Sequence, residues 1–481
     1  MRFVLLYQSD GHPTGVFRIQ IRNQERKNMF GENYLIGNQA GKEIFKAICS
    51  LPVLDAHNHA DVAALDRNEP FPNLWSLFAA TDHYVWEIMR KCGISEEFIT
   101  GSASDHDKFI KLAEHFEEMI GNPVYEWIHL DLRALGIHTE LNAGTGEAIW
   151  TEGKRLLALP EYRPLSILKR LNVEAMCSTD DPADDLKAHV SVNRKLDGAV
   201  KIRPTWRPDK AMKIQAAGFA AYIRKLGDRY QTEIRDLDTL LSVLAKSHDF
   251  FAEHGCVATD HGLELAPSGA GDRKMADSTL KKALSGEKIA ACESANYLNF
   301  MMGEFGEMNA QKGWVTQLHM GAVRDVRAKI FDTLGPDAGG DISSLIQDYA
   351  PALISFLNRF DDRLKVVLYS LEPAQYPTLA TLARAFGNKV RLGSAWWLLD
   401  TPVGMKRQLE YIGSVDLLSA FAGMVSDSRK LLSYGSRFEM FRRVMADVLG
   451  SMVEREQFRL ESGVKLAVRM AYDGPKEFFG F

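Results

Sequence analysis

The sequence predicts an α/β chain folded as a (β/α)8 TIM-type barrel with a large helical insertion after its first strand. Three observations carry that prediction. Short apolar runs recur along the 481 residues, and there are eight of them. Most end in polar residues. Amphipathic segments long enough for helices separate most of the runs, the alternation that builds a parallel sheet covered on its faces.

The first run is PVLDAHNH (52–59), followed by VEAMCST (173–179), GAVKIRP (198–204) and GCVATDH (255–261). WVTQLHM (314–320), KVVLYS (365–370), VRLGSAW (390–396) and FAGMVSD (421–427) complete the set. Their Val, Ile and aromatic content suits strands buried on both faces. Between them LDTLLSVLAKSHDFFAEHG (237–255) is a representative helix. One stretch breaks the rhythm: residues 61–169 are helix-like and rich in Trp, His and Tyr. They are expected to form an insertion on the first βα loop, and such loops build the active-site face of a barrel. The catalytic barrel is then assigned to 29–60 and 170–481. Residues 1–28 read as an extension, with FVLLY and FRIQI forming a hairpin around the Gly11–Gly15 turn region. GDRYQTEIRD and LGPDAGGD read as loops.

Composition narrows the function classes. A chain that is 46% hydrophobic and 25% charged buries a core and is not disordered. A net charge of −5 argues against a nucleic-acid partner. No apolar run approaches the roughly 18 residues of a membrane span, and no signal peptide is evident. Cys49, Cys92, Cys177, Cys256 and Cys292 are odd in number and form no CxxC pair, which points to a reducing compartment, the cytoplasm.

Chemistry collects at the ends of the strand runs. His57 and His59 lie two apart, so a strand points both to one side, where they can share a metal ion. The bland alternative is a hydrogen-bonded surface pair. Asp427 ends the last run, which neighbours the first when a barrel closes, and so can complete or flank that site. Its alternative is a helix N-cap. His319 ends the fifth run and is either a further ligand or a satisfied core histidine. Arg203 and Arg207 flank the end of the third run, and Arg429 follows Asp427 by two. Guanidinium forks suit a carboxylate substrate, although surface salt bridges are the common use of arginine. Asp260 and His261 end the fourth run. Trp396 and Trp397 end the seventh and either pack or stack on a sugar face. Asp82-His83-Tyr84 in the insertion offers a phenol to a substrate hydroxyl.

The motifs carry a family resemblance. DAHNH (55–59), DHYVWEIMR (82–90), PTWRPDK (204–210), HGCVATDHGLE (254–264), GWVTQLHMGAVR (313–324), GSAWWLLD (393–400) and GMVSDSRKLLSY (423–434) occur in this order. From about residue 50 to the C-terminus, the chain resembles the uronate (glucuronate) isomerases of the amidohydrolase superfamily. The resemblance implies a barrel of the metal-dependent hydrolase type. It also implies conversion of D-glucuronate to D-fructuronate and of D-galacturonate to D-tagaturonate. By the family pattern His57 and His59 would be metal ligands with Asp427 at or near the metal and His319 as a further candidate. Tyr84, Arg207, Trp397 and Arg429 would shape the substrate site. The sequence departs from the pattern at Asn58, at Asp325-Val326-Arg327, at Leu398-Leu399-Asp400 and at Lys430.

An aldose–ketose isomerase moves a proton between C2 and C1 through an enediol. Such a reaction needs a base, a group handling the C1 oxygen and stabilisation of enolate charge. Asp427 is the expected base, Tyr84 a proton shuttle, Arg429 an electrostatic neighbour and Arg207 the carboxylate clamp. His83, Arg203 and Trp397 are expected substrate contacts. One divalent metal, zinc first among candidates, is the expected cofactor. The expected partner is a small uronate, with no nucleic acid or membrane and with a homo-oligomer compatible. A metal-dependent hydrolase of the same superfamily is the alternative enzyme. A sugar-acid binding protein on an inactive barrel is the alternative from a different class.

Overall fold

A computed structural model describes residues 29–343 and 348–481 of the chain. The extension and hairpin expected over 1–28 lie outside these residues. Nine strands are present among the described residues. They are β1 (Val53–Asp55), β2 (Val173–Cys177), β3 (Lys201–Arg203), β4 (Ala258–Leu263) and β5 (Val315–Met320), then β6 (Ala322–Val323), β7 (Ile342–Ser343), β8 (Lys365–Ser370) and β9 (Val390–Leu392). One sheet runs β1-β2-β3 and another β4-β5-β8-β9, all parallel. Helices fill the connections, so the chain is an α/β protein of parallel strands. The short antiparallel pair β6–β7 was not expected from the sequence.

The strands are the apolar runs, trimmed. Every residue of β5 is buried, including Thr316, Gln317 and His319, as a strand covered on both faces requires. Seven of the eight expected runs contain a strand. The eighth does not: residues 421–427 form no ladder. Gly423 and Asp427 adopt positive φ angles of 105° and 46°, which interrupt an extended run. Polar partners replace the ladder. Ala422 N–H donates to Leu392 O, Val425 N–H to Ser394 Oγ and Ser426 N–H to Asp55 Oδ1. Asp427 N–H then donates to His57 O, and His59 N–H to Ser428 O. Main-chain bonds also join the β2–β3 and β4 edges, where Trp206 bridges Asp180 on one side and Thr259 on the other.

Seven α-helices, from Val62–Arg67 to Pro164–Arg170, lie between β1 and β2. The helix His83–Lys91 starts on Asp82, whose side chain accepts from Tyr84 N–H at 2.9 Å. The predicted 237–255 helix is Leu237–Glu253, opened by a capping box between Asp236 and Thr239. Near the C-terminus Ser433–Glu454 is buried along most of its length and packs on Gln39–Ile48. Glycines permit that contact, because a Cβ on Gly450 would lie 2.2 Å from Gly41 N.

His129, buried on the helix Pro123–Ala134, is satisfied only as a neutral ring. Its Nδ1–H donates to Tyr125 O at 2.9 Å, and its Nε2 accepts Leu141 N–H at 3.0 Å. Burial lowers its pKa from 6.5 to about 4. The unfolded chain therefore binds this proton more readily, and stability is full above pH 6.5. It falls as the pH drops from 6.5 toward 4, by up to about 3 kcal/mol. Urea titrations across this range should show that loss, and it should shrink in His129→Gln. An identical pH slope in the variant would contradict the assignment.

Candidate active site

The site begins with β1 and ends with the segment after β9. Past Asp55 the chain continues as His57-Asn58-His59. The Asn58 carboxamide stays buried and turns back on its own loop, accepting Ala60 N–H at 3.1 Å. The two histidines instead face a cavity of about 780 Å³. Asp427 faces it from the other side of the paired backbone. One of its oxygens, Oδ1, lies 3.0 Å from His57 Nε2 and 3.1 Å from His59 Nε2. Its left-handed φ of 46° is costly for a non-glycine residue, and such strain collects at functional sites.

Asp260 on β4 is the second hub. Its Oδ1 accepts from His319 Nδ1–H at 2.6 Å, and its Oδ2 lies 3.0 Å from Arg207 Nη1 and 3.4 Å from His57 Nδ1. A carboxylate can only accept, so the His319 proton sits on Nδ1. Nε2 is left as a buried acceptor without a partner, facing the cavity. His319 is thus not a satisfied core residue. His57 faces a carboxylate at each ring nitrogen, Asp260 at Nδ1 and Asp427 at Nε2. An acidic neighbour orienting an imidazole in this manner is the usual partner of a metal ligand.

The electrostatics follow from burial against charge. Burial pushes the Asp260 carboxyl up, but Arg207, His57 and His319 outweigh it and hold it well below the usual range. Asp427 is likewise raised by burial and pulled well below that range by hydrogen bonds from His57 and His59. Both acids are anions at neutral pH. Burial lowers His57, yet Asp260 and Asp427 reverse the sign and raise it. Burial dominates at His59, which is lowered, and brings His319 to about 4. Burial also holds the Tyr84 phenol well above its ordinary value, so it keeps its proton.

Among the described residues, two groups of three donors have ligand atoms close enough to share one cation: His57, His59 and Asp427, and His57, Asp260 and His319. The first fits a divalent ion, since two imidazole nitrogens and a carboxylate oxygen converge with no other cation between them. The second is a weaker ligand set because the Arg207 guanidinium already neutralises Asp260.

The remaining expected residues divide. Tyr84, His83, Arg207, Trp397 and Arg429 line the cavity together with His57, His59, His319 and Asp427. Arg207 is fixed by Asp209 Oδ2 at 2.9 Å as well as by Asp260. Gly262 leaves it room, because a Cβ there would lie 2.5 Å from its Nη2. His83 stacks on Tyr84 at 4.7 Å and meets the edge of Trp397 at 6.0 Å. Arg429 is partly exposed, 3.8 Å from Asp337. Arg203 departs from the expectation. It does not line the cavity, and its guanidinium runs to Gly255 O at 3.0 Å, before β4 begins, and to Gly480 O at 3.4 Å, near the C-terminus. Asp427 is not the cap of the following helix, which starts from Leu432.

The sequence reading missed Asp260 as a hub, Asp209 behind Arg207, and Arg324. The Arg324 guanidinium lies 4.3 Å over the Trp397 ring and pairs with Asp341. A signal for Asp260 existed: a fully buried acid in an apolar strand run demands partners.

The sequence profile of the glucuronate isomerases matches residues 26–479 of this chain. The chain belongs to the uronate isomerase family. The uronate isomerase of Thermotoga maritima is 49% identical over 451 residues, covering 93% of this chain and 99% of that protein. That of Vibrio vulnificus strain CMCP6 is 39% identical over 444 residues, covering 89% and 93%. The crystal structure of the Thermotoga maritima uronate isomerase superposes with a TM-score of 0.91 at 48% identity, covering 94% of this chain and 99% of that one. The glucuronate isomerase of Caulobacter crescentus shares the fold, with a TM-score of 0.89 at 23% identity over 94% and 97%.

If Asp260 orients His57 toward a metal, Asp260→Asn should lower metal affinity about 10- to 100-fold. Metal content after equilibrium dialysis against graded chelator reads this directly, and wild-type retention would contradict it.

Proposed function

We propose that this chain is a hexuronate aldose–ketose isomerase, converting D-glucuronate to D-fructuronate and D-galacturonate to D-tagaturonate. The observation that carries this is the shared contact of His57, His59 and Asp427, in a cavity also lined by Arg207, Arg324 and Arg429. Such a cavity offers a cation site beside several guanidinium groups, which suits a hydroxy-carbonyl substrate bearing a carboxylate. Membership of an isomerase family favours this reading over the hydrolase alternative.

The architecture we propose is a closed (β/α)8 barrel spanning 29–60 and 170–481, with 61–169 as a helical insertion. It is supported by the main-chain bonds from Trp206 to the β4 edge, from Ala422 to β9 and from Asp427 and Ser428 to the first strand's end. In that arrangement 421–427 serves as the eighth stave, and the site lies at the strand C-termini, as in other barrels of this kind.

His57, His59 and Asp427 would hold one divalent ion, with His319 Nε2 beside them. Two imidazoles and a carboxylate suit zinc, although manganese and other ions fit the same donors. Such an ion supplies Lewis-acid polarisation of a substrate oxygen. The rest falls to the chain. Arg207, pinned by Asp209 and Asp260, would hold the substrate carboxylate, with Arg429 adding positive charge near C1 and C2. Asp427 is ionised and would accept the proton from C2 and return it to C1. Tyr84 keeps its proton and would donate to the substrate oxygen that gains charge in the enediol. His83 and Trp397 would bound the sugar face.

In ²H₂O the wild-type holoenzyme should convert a uronate to a ketose without adding water, and solvent deuterium should appear at C1 of that ketose. Asp427→Asn should lose at least about 10²-fold in kcat, the scale of a lost general base, while its thermal unfolding stays cooperative. Hydrolytic products, or near-normal turnover in that variant, would sink the assignment.

A further inference from the structure

Against the wall that carries Tyr84 lies an ion cluster the mechanism does not use, and one of its members, Asp82, itself lines the cavity. Lys430 follows the Asp427–Arg429 stretch, and its side chain is turned inward and buried at 3% exposure. Its Nζ lies 2.8 Å from Asp82 Oδ2 and 3.8 Å from Asp131 Oδ2. Asp82 is itself 5% exposed, and its other oxygen caps the helix His83–Lys91 through Tyr84 N–H. The first two residues of that helix are the cavity-lining His83 and Tyr84. On the other side, Lys430 N–H donates to Ser428 Oγ, and Ser428 O accepts His59 N–H. A single buried ammonium therefore joins two walls of the cavity that are hundreds of positions apart in sequence.

Burial raises the Asp82 carboxyl, and Lys430 followed by Arg437 more than offsets this, so it is held below its ordinary value as an anion. Asp131, one step farther from the ammonium, is brought by burial to about 6. Lys430 thus binds Asp82 more closely than Asp131. A buried pair of this kind adds little to net stability, because desolvation offsets attraction, and its better-attested use is to fix one arrangement. Arg437 anchors the same region independently. It donates to Asp400 Oδ2 at 2.9 Å and Ser426 O at 2.8 Å, and its guanidinium lies over the Tyr84 and Trp127 rings. The helix therefore has a second attachment when Lys430 is changed.

We propose that Lys430 is a positioning residue for the isomerisation: its buried ion pair with Asp82 fixes Tyr84 and His83 against Asp427 and Arg429. The proposal rests on the isomerase reading given above. It follows from proximity being sensitive to misplacements of about 1 Å, which can cost around 10²-fold in rate. Lys430 touches no substrate, and its effect runs through Asp82 and the helix cap.

The test is a double-variant cycle on the metal-loaded full chain, reading kcat, KM, metal per chain and Tm. Asp82→Asn keeps the helix cap, since Asn caps as well as Asp, but loses the ion pair. It should lose at least tenfold in kcat with KM within threefold and metal content unchanged. Lys430→Met/Asp82→Asn should lose no more than threefold beyond that, because one interaction has been removed twice. The double variant leaves no carboxylate of the pair unpaired, so it stays informative even where Lys430→Met alone fails to fold. Asp131→Asn should keep kcat within twofold, because its helix contributes nothing to the cavity wall. Wild-type kcat in the double variant, multiplicative losses, or an equal loss in Asp131→Asn would overturn the proposal. Failure of the isomerase reading is separate and would appear as no ketose formation by the wild-type protein.

Discussion

Two main-chain hydrogen bonds hold the site together. Asp427 N–H reaches His57 O, and His59 N–H reaches Ser428 O, so two stretches 370 positions apart lie in fixed register. The register places one carboxylate oxygen against two imidazole nitrogens. Asp55 reinforces it from below: fully buried, it accepts both the hydroxyl and the N–H of Ser426. A one-residue slip of either stretch would turn Asp427 or His57 away from the cavity. The strained φ of Asp427 shows that local preference was overruled to keep that carboxylate in place.

Charge is arranged around this register in layers. Asp427 and Asp260 face the histidines as anions, Arg207 covers Asp260, and Asp209 covers Arg207. Each charge has a partner of opposite sign within about hydrogen-bond reach, which buried charges require. Behind them the ring of Tyr369 stacks on His319 at 4.2 Å, in space left by Gly393. The result is a set of donors whose orientations are fixed before any ligand enters. Preorganisation of that kind is what electrostatic catalysis depends on.

Much of this was legible in the sequence. Apolar runs mark seven strands, and polar residues at their ends mark the site, because strand periodicity and strand ends translate directly into geometry. What stayed hidden depended on tertiary context. FAGMVSD looks like a strand by composition, yet Gly423 and Asp427 turn out of the extended region, and the Ser394 and Asp55 side chains take over two of its hydrogen bonds. Arg203 and Arg207 flank one strand end alike; only the fold sends Arg203 back to Gly255 O and Arg207 forward into the cavity. Asp260 was visible as a strand-end acid, but its command of two histidines and an arginine requires knowing that β4 lies beside β5. Lys430 stood out only as a departure from the family pattern, and nothing local signals that it turns inward toward two acids.

The central claim is that His57, His59 and Asp427 hold a single ion. X-ray absorption spectroscopy at the metal edge of the purified, zinc-loaded protein tests it most directly. The account predicts one ion per chain, with scattering from two imidazoles at about 2.0–2.1 Å and oxygen completing the set. A spectrum without imidazole scattering, or two ions per chain, would contradict it.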